Sequence, residues 1–126
     1  MVNWKPEGTV MKVSTDEVDW VTGSTTAWAS QVVKYKDRYY LYYCSWDRTA
    51  EGKQSIGVAI ADSPTGPFKD AGQPVVQGTV TEPQNSNWDD IDPTVWVDTD
   101  EAGEEHRYLA WGNSKYYVCE LNEDMI

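Results

Sequence analysis

Short runs of β-branched and aromatic residues, broken by turn-forming residues, recur along the whole chain. Gln31-Val32-Val33-Lys34-Tyr35 and Arg38-Tyr39-Tyr40-Leu41-Tyr42-Tyr43 are separated only by Lys36-Asp37, which predicts two strands joined by a tight hairpin. Ser55-Ile56-Gly57-Val58-Ala59-Ile60-Ala61 predicts a third strand. In Asp62-Ser63-Pro64-Thr65-Gly66-Pro67, proline fixes φ and glycine accepts positive φ, so a turn should precede a short edge strand around Phe68. Together these make one four-stranded antiparallel meander.

The pattern then returns as Ile91-Asp92-Pro93-Thr94-Val95-Trp96-Val97, an acidic loop from Asp98 to Glu105, Arg107-Tyr108-Leu109-Ala110-Trp111, and Tyr116-Tyr117-Val118-Cys119-Glu120-Leu121. Ser30 aligns with Pro93 at an offset of 63 residues, and Ile56 with Tyr116 at 60. A period of this kind signals repeated blades. Upstream, Thr9-Val10-Met11-Lys12-Val13-Ser14 and Val18-Asp19-Trp20 read as the last two strands of a preceding blade. The predicted organisation is therefore the end of one blade (1–24), a complete blade (25–80) and an incomplete next blade (81–126) of a single domain. Incomplete blades leave unpaired edges and apolar faces, so self-association through those edges is expected.

Composition narrows this further. The chain has 126 residues, enough for one core but short of a closed propeller. Seven Trp and eight Tyr with little Leu point to an all-β fold, a partial β-propeller of about two antiparallel blades. The longest apolar run, Tyr39 to Cys44, cannot span a bilayer, and the N-terminus has no apolar signal core; the compartment stays open. Cys44 and Cys119 lie inside strand patterns without metal or redox spacing and read as free thiols. A net charge of −11 argues against a nucleic-acid binder, and the excess acidity is concentrated from Glu82 onward, with twelve carboxylates against Arg107 and Lys115.

Three ordered segments then carry a specific resemblance: Ala27-Trp28-Ala29-Ser30-Gln31-Val32-Val33, the run from Ile56 through Ser63-Pro64-Thr65-Gly66-Pro67-Phe68, and Ile91-Asp92-Pro93-Thr94-Val95-Trp96. They resemble successive signatures of glycoside hydrolase family 43, five-bladed β-propeller enzymes. The resemblance is closest to members acting on arabinofuranosyl or xylosyl linkages, and it extends over almost the whole chain. It implies inverting hydrolysis with three carboxylates: an Asp general base, an Asp that orients and tunes the acid, and a Glu general acid. Asp92 matches the second of these. The base would precede Trp4 and the acid would follow Ile126, so the chain is expected to be a fragment with little or no activity of its own. Inversion needs the acid and the base on opposite faces of the sugar, roughly 6.5–9.5 Å apart. A third carboxylate raises the acid's pKa by like-charge repulsion and performs neither task itself.

Pro93 is expected to hold Asp92 in an extended conformation, with Asp92 facing Gly112-Asn113 across the hairpin. By the repeat, Trp28-Ala29-Ser30 should share an edge with Ser45-Trp46. Trp28, Ser30, Trp46 and Asn113 are thus the candidate saccharide-binding residues, with Trp28 and Trp46 as an aromatic wall for a sugar ring. Packing between blades explains Trp28 equally well and Trp46 better. Glu82, Asp89 and Asp90 read as a solvated acidic loop, and His106 as an exposed hairpin residue without companions for a metal. Asp98-Thr99-Asp100-Glu101-Ala102-Gly103 fails as a calcium loop because Ala102 and Leu109 occupy ligand positions. No cofactor is expected, and the resemblance assigns any calcium ion in the parent's central channel to residues elsewhere. The competing reading is a carbohydrate-binding or self-assembling module without hydrolysis. Arabinose- or xylose-containing saccharides are the expected ligands on either account.

Overall fold

Seven strands in two antiparallel sheets carry the fold of this computed structural model, which describes residues 3–23, 26–81 and 86–126. β1 (Trp28–Tyr35), β2 (Arg38–Trp46), β3 (Gln54–Ala61) and β4 (Lys69–Asp70) form the first sheet in simple meander order. β5 (Thr94–Thr99), β6 (Glu105–Trp111) and β7 (Tyr117–Glu120) form the second. Both meanders follow the predicted strands, and the β1–β2 hairpin closes at Tyr35 and Arg38 through the expected Lys36-Asp37 turn, with Lys36 at φ 52°. The all-β expectation holds. No helix of the described residues is long and apolar enough to cross a membrane.

The two central strands of the first sheet read as nearly unbroken apolar runs because both of their faces are covered. Tyr40, Tyr42, Cys44, Ile56 and Val58 point toward the second sheet, where they meet Val95, Leu109, Trp111, Leu121 and Met125 in one buried cluster. Leu41, Tyr43, Ala59 and Ala61 point the other way, against Val18, Trp20, Val21 and Phe68. Each large side chain buried this way contributes about 1.5–3 kcal/mol, so the interface between the sheets is a principal source of stability. The buried Tyr42 hydroxyl on the first face is paired: it donates to the Met125 carbonyl at 2.6 Å. The edge strand β1 is stitched to β5 by one side chain. The Gln31 amide nitrogen donates to the Val95 carbonyl at 3.2 Å and its oxygen accepts from the Val95 N–H.

Residues 3–23 differ from their sequence reading. The strands predicted at 9–14 and 18–20 do not form; residues 10–21 are a strap across the outer face of the first sheet. Its backbone is satisfied locally and by the sheet: Val18 N–H bonds the Ser14 carbonyl, Phe68 N–H bonds the Val10 carbonyl, and Val21 makes an isolated bridge to Asp47. Trp20 lies flat on Tyr43, with centroids 5.7 Å apart, over a site where Gly57 has no side chain. A Cβ on Gly57 would come within 2.5 Å of the indole, so the glycine in this strand makes room for the tryptophan. The apolar residues predicted to make strand faces thus bury themselves by covering a face instead.

Candidate active site

Asp92 lies two residues before β5, at the end of the second sheet where β6 finishes. Gly112 N–H donates to the Ile91 carbonyl at 2.9 Å, which brings Asp92 beside Gly112-Asn113 as the hairpin argument requires. Its backbone does not match expectation. Asp92 has φ 55°, in the left-handed region rather than the extended one. Proline disfavours only the right-handed helical well for its predecessor, and Asp tolerates left-handed geometry better than most residues. The bond to Ile91 on one side and β5 on the other fix the chain's path through this corner. The Asp92 side chain is exposed.

The first sheet supplies the facing wall. Trp28 pairs with Cys44 across β1 and β2, and a bulge between Trp28 and Gln31 puts Ala29 at φ 43°. The Cys44 thiol donates to the Trp28 carbonyl at 3.5 Å and is also hydrogen-bonded by the backbone of Asp92. Burial pushes the Cys44 thiol up, the backbone bonds from Asp92 and Trp28 oppose that, and the nearby Asp92 charge adds to it. Cys44 is therefore the buried point at which the Trp28 and Asp92 segments meet, and both cysteines are free thiols.

Trp28 is 51% exposed, and Trp46 is half-buried. Trp88 joins them, at 6.0 Å and 82° to Trp28 and at 5.6 Å and 85° to Trp46. Ser30 and Asn113 are exposed at the two sheet ends. Trp88 was not among the sequence candidates. Its signal was its place four residues before Asp92, in a segment without strand character.

That segment also overturns the reading of Asp89 and Asp90 as solvated acids. They are 3% and 1% exposed. The Asp90 carboxylate accepts the Trp111 indole N–H at 2.7 Å, and Asp89 accepts the Ser86 N–H and hydroxyl at 3.2 and 3.1 Å. The carboxylates are buried because they satisfy donors that the loop and β6 would otherwise leave unpaired. Glu82 lies outside the described residues. A third buried acid, Asp47, closes the β2–β3 connection. It accepts Thr49 N–H, Thr49 hydroxyl and Ser55 hydroxyl, each at 2.7 Å.

His106 has the companions that its isolation in the sequence denied it. Nδ1 lies 2.7 Å from Glu120 and Nε2 3.5 Å from Asp100, with Glu104 also within reach. Asp100, Glu104 and His106 sit on the β5–β6 hairpin and Glu120 at the end of β7, at the opposite end of the strands from Asp92. Asp100 already accepts the Ala102 and Glu104 N–H groups, and histidine is a poor ligand for an oxygen-seeking cation. The cluster does not fit a calcium ion serving the Asp92 end.

The model of glycosyl hydrolases family 43 matches residues 1–126. The chain belongs to that family. Among relatives, it is 36% identical over 107 residues to xylosidase/arabinosidase 43A of Humicola insolens, covering 83% of this chain and 27% of that enzyme. An α-L-arabinofuranosidase structure from Clostridium thermocellum superposes with a TM-score of 0.72 at 33% identity, covering 98% of this chain and 38% of the other. A Xanthomonas citri enzyme solved with xylotriose shares the fold at 24% identity and a TM-score of 0.66, over 95% of this chain and 38% of that one. The chain thus spans about a quarter to two-fifths of these family 43 proteins, and its two sheets are part of a β-propeller.

Proposed function

We propose that this chain forms the Asp92 side of the active site of an inverting hydrolase of arabinofuranosyl or xylosyl linkages, such as those in plant cell-wall polysaccharide. Asp92 orients the general acid and keeps its pKa raised, while acid and base come from residues outside this sequence. The observation that supports this most is the position of Asp92: an exposed carboxylate in a constrained left-handed corner, anchored next to Cys44, whose thiol also bonds the Trp28 carbonyl. Membership of family 43, with relatives named for xylosidase and arabinofuranosidase activity, agrees with this chemistry.

A lone auxiliary carboxylate cannot both protonate a leaving oxygen and activate water. Purified chain is therefore expected to release almost no 4-nitrophenol from 4-nitrophenyl arabinofuranoside or xyloside. Robust turnover, abolished by Asp92→Asn, would show that the chain holds a complete site and would overturn this division of roles. The exposed indoles favour one other reading, a saccharide-binding module without hydrolysis; saturable oligosaccharide binding with no turnover under any assembly of the chain would support it.

A further inference from the structure

We infer that Trp88 is a saccharide-contacting residue, holding one wall of a pentose-binding corner whose other walls are Trp28 and Trp46. This rests on reading the Trp28 end as a saccharide site and adds to it a residue, a loop and a ligand shape.

Three features carry the inference. The first is exposure: Trp88 is 43% exposed and Trp28 51%. Tryptophans that only pack blades together would lose most of that surface, as Trp20 and Trp111 do at 3% and 8%. The second is geometry. Trp88 stands nearly perpendicular to both neighbours, so each contact is edge to face and it stacks flat on neither Trp28 nor Trp46. Perpendicular indoles make a corner, which suits a flat ring that offers C–H groups on its faces and hydroxyls at its rim. A pentose in a furanose or xylopyranose form is of that shape, and it is uncharged, as the strongly acidic chain favours.

The third feature is the holder. Trp88 stands on a short loop whose backbone is secured on each side of it. Asn87 accepts the Gln54 N–H at 2.9 Å, Trp88 N–H bonds the Ser86 hydroxyl at 3.1 Å, and Asp90 takes the indole N–H of Trp111. The loop thus bridges the start of β3 to the end of β6 and carries a half-exposed apolar ring. Presenting that ring in one position lowers the ordering cost of binding.

Xylotriose and arabinotriose are the probes, titrated calorimetrically into purified chain and its variants. Wild type should bind; Trp88→Ala should weaken binding about tenfold, and Trp88→Phe, which keeps an aromatic face, less. Oxidation by N-bromosuccinimide with peptide mapping reads the same contact in the unaltered chain. Saturating trisaccharide should protect Trp28 and Trp88 while Trp4, 91% exposed, stays reactive. If Trp28→Ala loses binding but Trp88→Ala binds like wild type, and trisaccharide leaves Trp88 unprotected, the saccharide site stands and the assignment of Trp88 falls. If wild type binds neither trisaccharide, the saccharide reading of this corner fails with it.

Discussion

Single residues in this chain are decided by what their backbone or buried polar atoms must satisfy. Gly112 has φ 142°, and a Cβ there would meet the Lys115 carbonyl oxygen at 1.8 Å. The same residue donates to Ile91 beside Asp92, so its freedom shapes the site. Gly112→Ala is expected to cost about 3 kcal/mol in urea unfolding, whereas Gly23→Ala, with nothing within 4 Å of its added Cβ, should change stability by less than ~0.5 kcal/mol. Asp47 gives a second case. Asp47→Ala strands the Thr49 and Ser55 donors in a buried turn and should cost about 3 kcal/mol by the same measurement. Asp90 and Asp47 were indistinguishable in the sequence from surface acids. Nothing local marks a carboxylate as buried when its donors come from 21 residues away, as the Trp111 indole does for Asp90.

Among the elements, the hairpins were legible and the strap was not. A hairpin is a local object: β-branched and aromatic runs flank a short turn, and register follows from the turn. Residues 9–20 have the same apolar character, but among the described residues no strand pairs with them, and their apolar side chains pack on the outer face of the first sheet. The β5–β6 hairpin adds a charge device. The bond to Glu120 raises the His106 pKa most, with Asp100 adding to it, and the Glu104 N–H does most to lower that of Asp100. A raised histidine pKa contributes stability that is complete below the unfolded value of about 6.5 and disappears as pH rises through the higher folded value. Asp100 contributes above roughly 3.9 and loses that contribution as pH falls through its lower folded value. His106→Ala should therefore destabilise the chain near about pH 5.5 and be nearly neutral near about pH 8.5 in thermal unfolding. An equal effect at both values would mean that the imidazole acts by packing on Tyr108 alone.

At the scale of the molecule, the second sheet is covered on one face only. Val95, Leu109 and Trp111 turn inward, while Trp96, Val118 and Tyr116 are 41%, 60% and 87% exposed. An apolar face of this kind is an interaction surface. We expect the isolated chain to self-associate through it, with the mass from light scattering rising with concentration, and Val118→Glu to suppress that rise. A concentration-independent monomer would contradict the expectation.

The sequence alone determined the strand runs, the two meanders, the repeat that relates them and the motif in which Asp92 stands, because each depends on short-range periodicity and turn chemistry. Tertiary structure decided where those pieces point. It turned Asp92 into a left-handed corner, buried Asp89 and Asp90, laid residues 10–21 across the first sheet, and brought Trp88 between Trp28 and Trp46. The physical reason is common to all four: burial and hydrogen-bond pairing are settled between segments distant in the chain, and the local pattern of residue types does not encode which distant donor, ring or face will arrive.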